Sequence, residues 1–169
     1  MKRENNVFAG STRTMTEAAL IAALYIALTL LFEPIAFGPI QFRISEMFCV
    51  LPYFTPAAVP GLFAGCLLGN ILGGAMLPDI VFGSLATLLG AVGSYMLRGN
   101  RHLVCLPPIL ANMIIIPPVL KFAYGFEGAL PFFILTVGIG EVLAIGVIGN
   151  ILLSVLDKYK SLLFSRQES

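Results

Sequence analysis

Gly38-Pro39-Ile40-Gln41-Phe42-Arg43-Ile44-Ser45-Glu46 is a polar island in a chain that otherwise reads as lipid-soluble. A long apolar run lies just before it and another begins straight after it, so Arg43 and Glu46 stand beside sequence that belongs in hydrocarbon. A plain surface loop would use Gly, Ser, Asn and Lys. This one sets an amide, a guanidinium and a carboxylate around Phe42 and Ile44, and it reads as a re-entrant or lid-like segment between two spans.

Hydrophobic residues make up 58% of the 169 and charged residues 11%, against roughly 25% charged in a soluble domain; mean hydropathy is +0.94. The composition specifies an integral membrane protein with room for one bundle of short spans and no sizeable soluble domain. The net charge of +1 says little, because in a membrane protein the placement of charge carries the information. Cys49, Cys66 and Cys105 are far apart in apolar sequence, without CxxC spacing or histidine neighbours, and are expected to be inert core thiols. His102 is expected at a membrane interface. With one histidine and no acidic cluster, no metal site is expected. Lys2, Arg3 and Arg13 precede the apolar stretch Ala18 to Phe32, but no small-x-small cleavage pattern follows, so that stretch is retained as the first span.

Eight of the ten basic residues fall in three groups: Lys2, Arg3 and Arg13; Arg98 and Arg101; Lys158, Lys160 and Arg166. The positive-inside rule places all three groups in the cytoplasm, which requires an even number of spans between each pair. The 84 residues from Arg13 to Arg98 hold four spans of about 17 to 25 residues tightly, and the 56 from Arg101 to Lys158 hold two. The prediction is an all-α bundle of six transmembrane helices with both termini cytoplasmic: a cytoplasmic segment over 1–14, the membrane domain over 15–160 and a tail over 161–169.

The first span, about Met15 to Glu33 and ended by Pro34, carries Ala19, Ala23 and Ala27 at four-residue spacing, widened by Ala18 and Ala22. Such a stripe lets another helix approach closely; it serves either packing inside the bundle or docking of a second protein. The second, about Ser45 to Phe54, is short and stopped by Pro52, Pro56 and Pro60, with Ser45 and Glu46 suited to its cap and first turn. The third, about Ala57 to Gly73, presents Gly61, Gly65, Gly69 and Gly73 as a face for close packing, with Asn70 beside it. Asp79 is placed to cap the fourth, about Ile80 to Leu97, whose small residues are Gly83, Thr87, Gly90 and Ser94. The fifth, about Leu103 to Tyr124, holds Asn112 near its midpoint and should bend at Pro117-Pro118, which remove two backbone donors and crowd the carbonyls of Met113 and Ile114. The sixth, about Pro131 to Lys158, holds Glu141 roughly 15 Å below its start, near the middle of a ~30 Å hydrocarbon core. An acid there costs about 2.5 to 3.5 kcal/mol on insertion scales and is a functional candidate. Asn150, on the opposite face, is assigned to packing.

On this topology Gln41, Arg43, Glu46, Asp79, Lys121 and Glu127 lie at the outer side, with Asn70, Asn112 and Glu141 below them. Together they describe a polar pocket open to the exterior, with Phe37, Phe42 and Phe122 near enough in sequence to stack on a planar ring. Neither a GxxxxGK[ST] loop nor HExxH, GxSxG or paired metal ligands occur, so the chain is not read as an enzyme and cannot itself hydrolyse ATP. Uphill transport would draw on another polypeptide or on an ion gradient, for which Glu141 is the one plausible coupling acid.

Six short helices in under 200 residues, the alanine stripe and the polar loop after it resemble the substrate-binding S component of an energy-coupling factor (ECF) transporter. Within that group Gln41-Phe42-Arg43-Ile44-Ser45-Glu46, Gly65-Cys66-Leu67-Leu68-Gly69-Asn70, Asp79 with Phe82-Gly83-Ser84-Leu85-Ala86-Thr87, and Gly140-Glu141 are similar to the QueT family. The resemblance implies that Ala19, Ala23 and Ala27 face a transmembrane coupling protein, the T component. It also implies that two partner ATPase subunits use ATP while this chain binds no cofactor, that the lipid bilayer of the plasma membrane surrounds it, and that nucleic acid is not a partner. The implied ligand is a queuosine precursor, a 7-deazaguanine such as preQ1, preQ0 or queuine, contacted from among Gln41, Arg43, Glu46, Asn70, Asp79, Asn112 and Glu141. The alternatives are an S component for another vitamin or heterocycle, a stand-alone secondary carrier, and a non-transporting membrane subunit.

Overall fold

The apolar stretches fold into helices because a backbone surrounded by hydrocarbon must satisfy its own hydrogen bonds. The computed structural model describes residues 12–36 and 42–159; Gln41 and Phe37, with Lys2, Arg3, Lys160 and Arg166, lie outside them. In order come α1 (Thr12–Leu31), α2 (Glu33–Ala36), a 3₁₀ helix (Ile44–Tyr53), α3 (Ala58–Leu72), α4 (Leu77–Met96), α5 (Leu106–Phe122), α6 (Leu130–Glu141), a π-helical segment (Val142–Gly149) and α7 (Asn150–Lys158). Three helical stretches among the described residues are long and apolar enough to cross a membrane: Thr12–Leu31, Leu77–Met96 and the continuous Leu130–Lys158. The shorter apolar helices Ile44–Tyr53, Ala58–Leu72 and Leu106–Phe122 pack among them.

The glycine face of α3 finds its partner in α1. A Cβ on Gly61 would lie 2.7 Å from the Ala18 carbonyl oxygen, one on Gly65 2.8 Å from Tyr25 Cβ, and one on Gly69 3.4 Å from Thr29. The two helices therefore run side by side in the same direction, held by close backbone approach. Ala18 and Ala22 belong to this contact, whereas Ala19, Ala23 and Ala27 point away from it and are exposed. In the same manner Gly90 and Gly93 of α4 admit Pro108 and Pro107 of α5, where a Cβ would come within 2.6 Å and 2.5 Å.

The 3₁₀ helix runs against α1: Thr29 Oγ1 lies 2.8 Å from Ser45 Oγ at one end, and the Thr55 hydroxyl donates to Glu17 at 3.0 Å at the other. A run of ten residues is long for this helix type, which is uncommon beyond three or four. Its rise of about 2 Å per residue lets it follow the stretch of α1 between those contacts. One apolar cluster, including Phe48, Val50, Leu62, Ile145 and Leu153, packs its inner side, and a second, Ile116, Leu120, Phe133 and Val137, joins α5 to α6.

Two expectations change. Pro34 does not end helical structure, since it stands in the short α2 that follows α1. Arg43, not Ser45, occupies the cap position of the 3₁₀ helix, and no side chain caps it. Pro117 and Pro118 lie inside α5, which continues to Phe122. The last helix passes into π geometry directly after Glu141. Gly138 and Gly140 precede the π segment and Gly146 and Gly149 lie within it, and π turns inside helices recur at functional sites.

Candidate functional site

Arg43, Glu46, Asn70, Asp79, Asn112 and Glu141 come from five different parts of the chain, yet each is at most 4% exposed. The surface around them is apolar, with Leu20, Leu31, Leu72, Leu89, Ile114 and Leu135 all at least 59% exposed. Polar inside and apolar outside is the arrangement that lipid imposes.

Glu46 is fully engaged. Its Oε1 accepts from the Tyr25 hydroxyl of α1 and, at 3.1 Å, from the Thr87 hydroxyl of α4; its Oε2 accepts from Cys49 Sγ at 2.9 Å. Thr87 Oγ1 also lies 3.3 Å from Cys66 Sγ, and the Asn70 amide donates to that sulfur at 3.6 Å and to the Asp79 carbonyl at 3.4 Å. Cys49 and Cys66 are free and buried as expected, but they belong to the polar network rather than to a purely apolar core.

Asp79 stands in the first turn of α4, where the helix dipole favours an anion, but its side chain caps nothing. Its Oδ2 instead accepts from Arg43 Nη2 at 2.7 Å and from the Tyr124 hydroxyl at 3.1 Å. The Tyr124 oxygen in turn accepts the Met76 backbone N–H at 3.2 Å, so the α5–α6 loop is tied to the start of α4 above the ion pair. Burial and the neighbouring Asp79 carboxylate push the Tyr124 hydroxyl above its ordinary pKa, keeping it a donor.

Asn112 lies ten residues before the end of α5 and Glu141 eleven residues after the start of α6. At 1.5 Å per residue both sit about 15 Å from the same end of the bundle, and the Asn112 amide faces the Glu141 carboxyl, with Glu46 and Arg43 in electrostatic range. Among the described residues three buried side-chain atoms have no hydrogen-bond partner: Asp79 Oδ1, Asn112 Nδ2 and Glu141 Oε2. Leaving a buried polar atom unmade costs about 1 to 3 kcal/mol, so these three are where the hydrogen bonding of the described interior is incomplete.

Lys121 and Glu127 do not join this group: Lys121 is half-buried with its ammonium 5.9 Å from the Phe122 ring centre, and Glu127 is exposed. Phe122 is 77% exposed and cannot stack on anything inside. It lines an apolar recess of about 550 Å³ with Pro78, Phe82, Ile115, Pro118 and Val119, which contains none of the polar residues. Asn150 packs as expected, donating to the Gly146 carbonyl at 2.7 Å and to Cys105 Sγ at 3.5 Å. Tyr25 and Tyr124 went unread in the sequence. Tyr25 alone carried a signal, as it shares the helical face of Ala18, Ala22 and Thr29.

The family model described as QueT transporter matches residues 15–158, nearly all of the helical region. The chain belongs to the QueT transporter family. It is 35% identical over 80 residues to the protein called queuosine precursor transporter QueT of Lactococcus lactis subsp. cremoris (strain MG1363), covering 46% of this chain and 47% of that protein. The chain thus spans about half the length of the curated relative it matches. No solved structure matches. QueT membership and the apolar helices make it a multi-pass, all-helical membrane protein of a transporter family, and the six buried residues above lie inside the region that the QueT model covers.

Proposed function

We propose that this protein is the substrate-binding membrane subunit of an ECF-type importer, with six spans and both termini in the cytoplasm, and that its cargo is a queuosine precursor. The observation that carries this reading is the trio of unpartnered atoms on Asp79, Asn112 and Glu141 in an otherwise satisfied interior. A 7-deazaguanine such as preQ1, preQ0 or queuine offers ring N–H donors to a carboxylate and a ring carbonyl to an amide. Glu141 receives the donor edge and Asn112 donates to the carbonyl. Asn70 borders the site, Arg43 pairs with Asp79 beside it, and Gln41, outside the described residues, is a further candidate contact. Glu46 is held back from the ligand, because both its oxygens already accept hydrogen bonds.

The chain supplies recognition and its partners supply energy. Ala19, Ala23 and Ala27 form the exposed side of α1, the face that a coupling protein would use, and two ATPase subunits hydrolyse the ATP. Mass spectrometry of small molecules and polypeptides that co-purify with the full chain tests both parts. The expected result is a 7-deazaguanine together with a coupling protein and two ATPases. A different heterocycle overturns the cargo, and ATP-independent uptake by the chain alone in liposomes overturns the subunit assignment.

A further inference from the structure

α4 and α5 run antiparallel, because Gly90 meets Pro108 while Gly93 meets Pro107. The start of α4 and the end of α5 therefore share the end of the bundle away from Arg98 and Arg101. There the facing side chains are large. Pro78 and Phe82 stand one turn apart on α4, opposite Ile115, Pro118, Val119 and Phe122, which form one stripe of α5 at helical spacing. The recess of about 550 Å³ lies between them. Phe82 and Phe122 at its rim are 49% and 77% exposed, on the apolar surface that lipid covers. Water finds no polar side chain to hold it among these residues, so hydrocarbon is what fills the space. Pro78 and Pro118 stiffen its walls, since the proline ring fixes a backbone torsion.

Lys121 selects the kind of lipid. It stands in the last turn of α5, half-buried, with its ammonium 5.9 Å from the centre of the Phe122 ring that walls the recess. Among the described residues Arg43, at the same end, is taken by Asp79, and no carboxylate forms an ion pair with Lys121. The lysine stem lies well on apolar surface while its ammonium reaches headgroup level. A cation in a last turn also complements the helix dipole, which accounts for the charge but not for its place beside an apolar recess. We propose that the recess and Lys121 form a site for one phospholipid with an anionic headgroup, an acyl chain lying between Phe82 and Phe122 and the phosphate held by the ammonium. Pro78 adjoins Asp79, and Phe122 precedes Tyr124 by two residues. The bound chain thus braces both ends of the hydrogen bond from Tyr124 to Asp79.

The test titrates the full chain in detergent with dioleoyl phosphatidylglycerol and dioleoyl phosphatidylcholine, which share their acyl chains, and measures retained lipid by native mass spectrometry. The wild-type chain is expected to hold one phosphatidylglycerol about fivefold more tightly than phosphatidylcholine, the ratio that one lysine near an anionic headgroup supplies. Lys121→Gln is expected to bring the two lipids within about twofold of each other, and Lys121→Arg to keep the preference. Ile115→Trp, which fills the recess, is expected to weaken phosphatidylglycerol about fivefold or more through lost apolar contact. Equal binding of the two lipids by the wild-type chain overturns the headgroup site, and so does a preference that survives Lys121→Gln. Inorganic phosphate that binds as tightly as the lipid overturns the role of the recess. Should Ile115→Trp fail to fold, Phe122→Ala removes one wall at an exposed position and carries the same expectation.

Discussion

Glu46 and Glu141 are both acids buried in the same bundle, at 1% and 4% exposure, and their surroundings differ in one respect. Glu46 is gripped by hydroxyls and a thiol from α1, α4 and its own helix, whereas Glu141 keeps an oxygen without a partner. The first arrangement has the form of a structural joint, a carboxylate that draws three elements to one point. The second leaves one oxygen of the acid without a donor. Burial alone therefore does not tell the two acids apart; the completeness of their hydrogen bonding does.

If that contrast is right, the two acids respond oppositely to substitution. Glu46→Ala strands the Tyr25 and Thr87 hydroxyls and empties the joint, and should destabilise the protein by about 1 to 3 kcal/mol for each buried group left unmade. Thermal unfolding in detergent without ligand would show the loss, and an unchanged melting temperature would end the comparison. Glu141→Gln should weaken 7-deazaguanine binding at least tenfold, or about 1.4 kcal/mol, while the ligand-free protein keeps its stability because the replaced oxygen has no partner to lose. Titration together with apo melting separates the two effects, and a destabilised apo protein would place Glu141 in the structural class with Glu46.

Smaller changes sharpen the boundary between joint and site. Gly83→Ala puts a methyl group among Asp79, Asn70 and Arg43; overpacking of this kind costs about 1 to 3 kcal/mol, and it should appear mainly in affinity, since the neighbouring atoms are the polar ones facing the site. Tyr124→Phe removes the donor to Asp79 and the acceptor for the Met76 N–H, an effect of about 1 kcal/mol. Stopped-flow dissociation should then be several-fold faster, because the tie between the α5–α6 loop and the start of α4 is cut. An unaltered dissociation rate would confine Tyr124 to packing.

Much of the architecture was legible because lipid constrains sequence strongly. Gly61, Gly65 and Gly69 announced a close helix contact, and the structure supplies α1 as the partner. Arg43, Asp79 and Glu141 stood out because charge is costly in an apolar chain, and all three are buried together with the asparagines read beside them. Helix type was not legible: α, 3₁₀ and π geometries differ by one residue in hydrogen-bond register, and packing rather than composition decides between them for Ile44–Tyr53 and Val142–Gly149. The roles of the two acids were not legible either. Telling Glu46 from Glu141 needs Tyr25 and Thr87, which are 21 and 41 residues from Glu46 in the chain, and no local pattern records those distances. Asp79 went the same way, since its position fits a helix cap while Arg43, 36 residues earlier, and Tyr124, 45 residues later, claim its side chain.

The 3₁₀ helix also sets a length. Ten residues at about 2 Å each extend roughly 20 Å, and the same ten in α geometry would extend about 15 Å. One end is fixed by Thr55 on Glu17, and the other by Thr29 on Ser45, by the donors on Glu46 and by Arg43 on Asp79. The segment is a strut clamped at both ends, and its stretched pitch fixes how far the Arg43–Asp79 pair stands from the Glu17 anchor.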